Sequence, residues 1–112
     1  MESTRQKKIS RLIQKEMALQ FQRKELPICN NAIVSITEVK VSADLKYAKL
    51  FVSIYPSDQP LEEIKLMNQK QYLIRKKLAE KIKKQVRVIP ELRFFLDDSI
   101  SYSEEIERLL NK

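Results

Sequence analysis

The spacing of apolar residues changes repeatedly along this chain, and each change marks an element. Ile9, Leu12, Ile13 and Met17 recur at helical spacing behind a Ser3–Gln6 pair at capping-box distance, which predicts a helix from about Thr4 to Gln20. Pro27 and Asn30-Asn31, with Cys29 between them, then read as a loop. From Ile33 to Val41 the chain is rich in β-branched residues and reads as a strand. Its alternation slips phase between Ile36 and Val39, which predicts a bulge or a twist. Tyr47 to Tyr55 alternates cleanly, with Ala48, Leu50, Val52 and Ile54 on one face and Tyr47, Lys49, Phe51, Ser53 and Tyr55 on the other. Ser42-Ala43-Asp44 supplies the turn chemistry of an antiparallel hairpin between the two strands.

The second half returns to helical spacing. Asp58 and Pro60 are helix-entry residues, followed by the early acids Glu62 and Glu63 and by Leu61, Ile64 and Met67. The apolar stripe lapses through Asn68–Gln71 and resumes at Ile74, Leu78 and Ile82. This run is either one long helix or two segments joined by a kink near Lys70–Tyr72. Leu73 lies off the stripe and favours the kink, because a change of direction would let it bury. Pro90 prevents the helix from continuing, and Leu92 to Leu96 reads as a third strand. Ser101 and Glu104, again at capping-box spacing, open a C-terminal helix carrying Ile106, Leu109 and Leu110. The order α-β-β-α(α)-β-α predicts an α+β layer with the helices on one face of a small sheet. At 112 residues, positions 1–112 are expected to form a single domain.

Charge is unevenly placed on this framework. Lys70, Arg75, Lys76, Lys77, Lys81, Lys83, Lys84 and Arg87 stand against the single acid Glu80, so this stretch alone carries the +7 of the whole chain. Read as a helix to Arg87, it combines a buried stripe with a cationic face suited to a phosphate backbone. A merely solvated face would intersperse both signs, and this one does not. Residues 1–24 hold seven basic residues and two acids, so Lys8, Arg11 and Lys15 form a second candidate phosphate contact. A solvated helix back is the alternative for them. Arg75 falls near the apolar edge, where pairing with a carboxylate such as Asp97 is a structural alternative. The Tyr47/Phe51/Tyr55 face could stack bases, or could be covered by its own chain.

The absences are equally informative. With no histidine, Ser–His and Cys–His pairs and the commonest metal ligand are missing. With no glycine, Walker loops, dinucleotide fingerprints and glycine-rich phosphate cradles are excluded. The adjacent carboxylates Asp97-Asp98 and Glu104-Glu105 suit a strand exit and a helix N-terminus better than acid–base work. We therefore expect no enzyme, no metal and no cofactor. A single cysteine and the lack of a secretory signal point to a cytoplasmic protein. No apolar run is long enough to cross a bilayer.

Two motifs carry a resemblance. The hairpin stretch from Ser35 to Ser53, SITEVKVSADLKYAKLFVS, is similar to that of bacterial ribosome-binding factor A, with its V-S-x-D-L-x-x-A core. Ile74-Arg75 with Leu78, then Pro90-Glu91-Leu92-Arg93-Phe94 and Asp97, resembles the same family's I-R … P-E-L-x-F-x-x-D pattern. The resemblance implies a type II KH-like fold in which a helix–kink–helix replaces the GXXG loop. Family members commonly carry Ala-x-Gly at the kink, where this chain has Lys70-Gln71-Tyr72. It further implies a monomeric, non-enzymatic assembly factor for the free 30S small subunit. Such a factor assists late maturation and 5′-end processing of 16S rRNA, supports growth in the cold, and has an assembly GTPase among its conceivable partners. A generic basic RNA- or DNA-binding module and a protein-interaction adaptor are the competing expectations.

Overall fold

The structure, a computed structural model, describes residues 2–26 and 32–97. The chain runs α1 (Thr4–Gln22), β1 (Ile33–Val41), β2 (Tyr47–Tyr55), α2 (Pro60–Gln69), α3 (Gln71–Ile82) and β3 (Glu91–Leu96). The Pro27–Asn31 loop and the C-terminal helix expected after Ser101 lie outside the described residues.

The expected capping box opens α1: the Gln6 backbone N–H donates to Ser3 Oγ (3.1 Å) and the Ser3 N–H donates to Gln6 Oε1 (2.8 Å). Gln6 also donates Nε2 to the Val41 carbonyl at 2.9 Å, which ties the helix start to the end of β1. Ile9, Ile13 and Met17 then face the core. The helix ends two residues later than expected, through a Schellman arrangement around Lys24, whose φ is +56°. The Glu25 N–H reaches Gln20 O (3.0 Å) and the Lys24 N–H reaches Phe21 O (3.1 Å). Glycine usually takes that left-handed position. A glycine-free chain puts lysine there.

β1 and β2 pair antiparallel, with the register shifting between Ile36 and Glu38. The phase slip in the sequence is therefore a bulge at Thr37. Because of it, Ile36, Val39 and Val41 all reach the core, which strict alternation would forbid. The bulged Thr37 hydroxyl lies within hydrogen-bonding distance of Asp97 Oδ2 (2.7 Å) and Phe51 O (3.1 Å). β3 pairs parallel to β2, from Tyr47↔Glu91 to Val52↔Leu96, giving the order β1-β2-β3. A connection built of two helices is what lets the chain return in the same direction.

One face of this mixed sheet presents Ala48, Leu50, Val52, Leu92 and Phe94 to the helices, and all five are at most 1% exposed. Ile13, Met17, Met67, Ile74, Leu78 and Ile82 meet them from α1, α2 and α3 with no exposed surface. The result is the α+β, KH-like layer expected from the sequence, with helices on one side of a three-stranded sheet.

Three expectations need correction. The basic helix does not run to Arg87: it stops at Ile82, and the Gln85 N–H closes back on Ile82 O at 2.8 Å. Val86, Val88 and the position before Pro90 all resist helical geometry, so the chain leaves the helix early. Leu73 stays 38% exposed. The interruption at Lys70 is confined to one residue, with both Leu73 and Ile74 N–H donating to Lys70 O, so Leu73 is not turned inward. Arg75 takes backbone partners: Nη2 and Nε donate to Ile89 O (2.6 and 3.2 Å), and Nε also to Pro90 O (3.2 Å). Those carbonyls precede β3 whereas Asp97 follows it, so the suggested partner sits roughly 20 Å away along the strand.

Candidate nucleic-acid interface

The kink comes first, because it sets where the basic residues point. Lys70 (φ −104°, ψ 17°) is at once the last cap of α2 and the first of α3, and neither cap is made by a side chain. The helix–kink–helix is thus built without glycine. Lys70 itself is half-buried, and Tyr72 beside it is 64% exposed.

Beyond the kink the buried stripe of Ile74, Leu78 and Ile82 fixes the rotation of α3. Lys76, Lys77 and Lys81 are therefore exposed on the helix, Lys83 and Lys84 on the turn that closes it, and Arg87 on the segment leading to β3. Among the described residues, none of these six makes an ion pair. Six uncompensated cations within twelve residues repel one another, and a polyanion relieves that repulsion.

Lys8, Arg11 and Lys15 are exposed on α1. The two helices run antiparallel: Gln20 donates Nε2 to the Lys77 carbonyl (3.2 Å) at one end, and the first turns of α1 face residues 85–88 at the other. Lys8 and Arg87 consequently line one groove of about 690 Å³, while Arg75, Lys76 and Arg87 line a second of about 440 Å³. Arg87 stands between the two concavities. Arg11 and Lys15 reach neither. Arg5, on the first turn of α1, also lines the larger groove. The sequence reading passed over it, although it stands one turn before Lys8.

The opposite side of the sheet carries aromatics. Tyr47, Tyr55 and Phe95 are exposed (46%, 40% and 41%), while Phe51 is half-buried, its ring 5.7 Å from that of Phe95. Lys40 Nζ stands 6.0 Å from the Phe51 ring, and the Arg93 guanidinium 6.0 Å from that of Tyr47. Arg93, Lys40 and Phe95 only join Tyr47 and Phe51 once three strands are in register. Among the described residues there is no cluster of acidic, histidine or cysteine side chains that could hold a metal, and no helix is long and apolar enough to cross a membrane.

A KH-like layer with an uncompensated basic helix after a glycine-free kink is a candidate nucleic-acid-binding surface. The comparisons narrow it. The family model of ribosome-binding factor A matches residues 5–110. Ribosome-binding factor A of Cytophaga hutchinsonii is 44% identical over 115 aligned positions, covering 100% of this chain and 84% of that protein. The chain belongs to the ribosome-binding factor A family. Solved structures agree on the fold. The crystal structure of ribosome-binding factor A from Thermus thermophilus superposes with a TM-score of 0.64 at 15% identity, over 81% of this chain and 94% of that one. A homology model of the Thermus thermophilus factor, as fitted into a cryo-EM map of its complex with 30S, gives a TM-score of 0.60 at 16% identity, over 78% and 89%.

Proposed function

We propose that residues 1–112 act as one unit that binds the small ribosomal subunit and assists late maturation and 5′-end processing of 16S rRNA. Lys76, Lys77, Lys81, Lys83, Lys84 and Arg87, with Lys70 at the kink, dock on rRNA phosphates. Lys8, Arg11 and Lys15 extend the contact along α1. Arg75 serves it by fixing the course of residues 89–90. The observation that carries this reading is the run of exposed cations from Lys76 to Arg87, unpaired among the described residues. Family membership directs it toward the ribosome, since the Thermus relative was fitted into a complex with 30S. The factor's work is to hold an rRNA element in a conformation compatible with maturation, which needs binding and release but no bond-making residue.

Counterion release makes this account measurable. Log affinity for 16S rRNA should fall with log salt by roughly 0.7–0.9 per phosphate neutralised. The Lys76→Gln/Lys77→Gln variant should flatten that slope by about 1.5. A wild-type affinity that ignores salt contradicts electrostatic docking.

A further inference from the structure

The groove shared by Lys8 and Arg87 has a composition that phosphate docking alone does not explain. Its walls are mostly aliphatic: Ile9 and Leu12 from α1, Leu45 from the β1–β2 turn, and Val86 and Val88 from the segment after α3, where Gln85 adds one amide. Its rim holds three cations, Arg5, Lys8 and Arg87, and one acid, Asp44. Among the described residues none of these four is ion-paired, although they share one concavity. About 690 Å³ lies within the range of roughly 300–1,000 Å³ typical of sites that enclose a small organic group.

The turn that places Asp44 is tightly specified. The Ser42 hydroxyl donates to Asp44 Oδ1 (2.6 Å), as does the Lys46 N–H (3.1 Å), while the Tyr47 N–H donates to Ser42 Oγ (3.0 Å). These bonds, the Ser42 hydroxyl first, hold the Asp44 carboxyl below its ordinary range, so it is an acceptor at neutral pH. Oδ1 is thereby occupied, and Oδ2 remains for a ligand. Leu45 next to it sits at φ +63°, a left-handed conformation that a γ-branched residue adopts at a cost. The strain sets a leucine, rather than a bare glycine, on the groove wall beside the carboxylate.

We propose that this groove seats one unpaired guanine nucleotide of RNA, its base between Leu45 and Val86, its Watson–Crick edge on Asp44, and its neighbouring phosphates on Arg5, Lys8 and Arg87. The proposal deepens the RNA-binding reading and rests on it. Charge selects the occupant. An acidic peptide would satisfy the three cations but would meet Asp44 with like charge. A nucleotide offers both signs, phosphate outside and base donors inside. Among the bases, guanine places N1–H and the N2 amino group side by side, two donors that converge on the one open oxygen, Asp44 Oδ2. Adenine and cytosine set a ring acceptor beside their amino group, and uracil flanks its one N–H with two carbonyls. Single-stranded RNA is commonly read in this way, with a splayed base held by its edge and by flat or apolar side chains.

The test uses the full chain and fluorescein-labelled five-nucleotide RNAs, U-U-G-U-U against the same strand with adenine or inosine at the centre, at fixed salt. Binding is followed by anisotropy, and contacts by amide shifts in NMR spectra. The expected result is a preference for guanine over adenine of about tenfold, set by charge-assisted hydrogen bonds, with inosine between. Shifts should centre on residues 44–46 and 85–88. Asp44→Asn should remove the preference. Should that variant disturb the turn, Arg5→Glu lies outside it, in a helix first turn that favours acids, and should weaken all three strands alike. Equal binding of the three strands, with shifts confined to α3, overturns the groove assignment and leaves the RNA reading standing. Free GMP binding as well as the pentamer, or penta-glutamate displacing it with the same shifts, also overturns it. If neither RNA nor small subunits bind, the RNA reading fails first and takes the groove with it.

Discussion

Asn68 and Phe94 pair in both directions: the Asn68 Nδ2 donates to the Phe94 carbonyl at 2.9 Å, and its Oδ1 accepts the Phe94 N–H at 2.8 Å. An asparagine at the end of α2 thus stands where a fourth strand would. β3 is an edge strand, and its alternate residues point their backbone groups away from β2. Gln71 repeats the device less tightly, with Oε1 accepting the Leu92 N–H at 3.4 Å. The polar lapse between Met67 and Ile74 is therefore a cap for an open sheet edge, placed next to the kink. Asn68→Ala should cost about 1–2 kcal/mol by urea denaturation, because two backbone groups lose their partner. Faster hydrogen exchange at Phe94 should accompany it. Unchanged protection there would show that the pairing is incidental.

Lys24 offers a gain. Its left-handed φ of +56° closes a Schellman motif that glycine enters without a Cβ clash. Lys24→Gly should raise stability by about 0.5–1 kcal/mol, the relief outweighing the extra freedom of the unfolded chain. Thermal denaturation reads this directly, and a lower melting temperature would contradict it.

Arg75 separates structural support from RNA contact. Its fork holds the carbonyls of Ile89 and Pro90, and lysine cannot reproduce that geometry. Arg75→Lys keeps the charge, yet it should cost about 1 kcal/mol and speed exchange through residues 85–91. Its rRNA affinity should drop with an unchanged salt slope. A flattened slope would instead make Arg75 a phosphate contact in its own right.

Local patterns were readable in the sequence, and relations across the sheet were not. The slip between Ile36 and Val39 announced the bulge at Thr37, because a two-residue period leaves no other way to bury Ile36, Val39 and Val41 together. The cation count from Lys70 to Arg87 needed no coordinates. The purpose of Asn68 and Gln71 was invisible, because their partners lie on β3 some twenty residues downstream. Helical periodicity likewise carried the basic helix past Ile82, since Lys83, Lys84 and Gln85 are good helix formers and only the β-branched residues before Pro90 oppose them. Arg5 was overlooked for a similar reason. Its groove exists only where α1, the hairpin turn and residues 85–88 meet.

The most direct test of the central claim is co-sedimentation with purified free small subunits through a sucrose gradient. The wild-type chain is run beside a variant with Lys76, Lys77, Lys83 and Lys84 changed to Glu, shown by circular dichroism to be folded. The account predicts wild type in the small-subunit fractions and the variant at the top of the gradient. Co-sedimentation of both would contradict the assignment of the contact to the surface that follows the kink, and wild type at the top would contradict small-subunit binding itself.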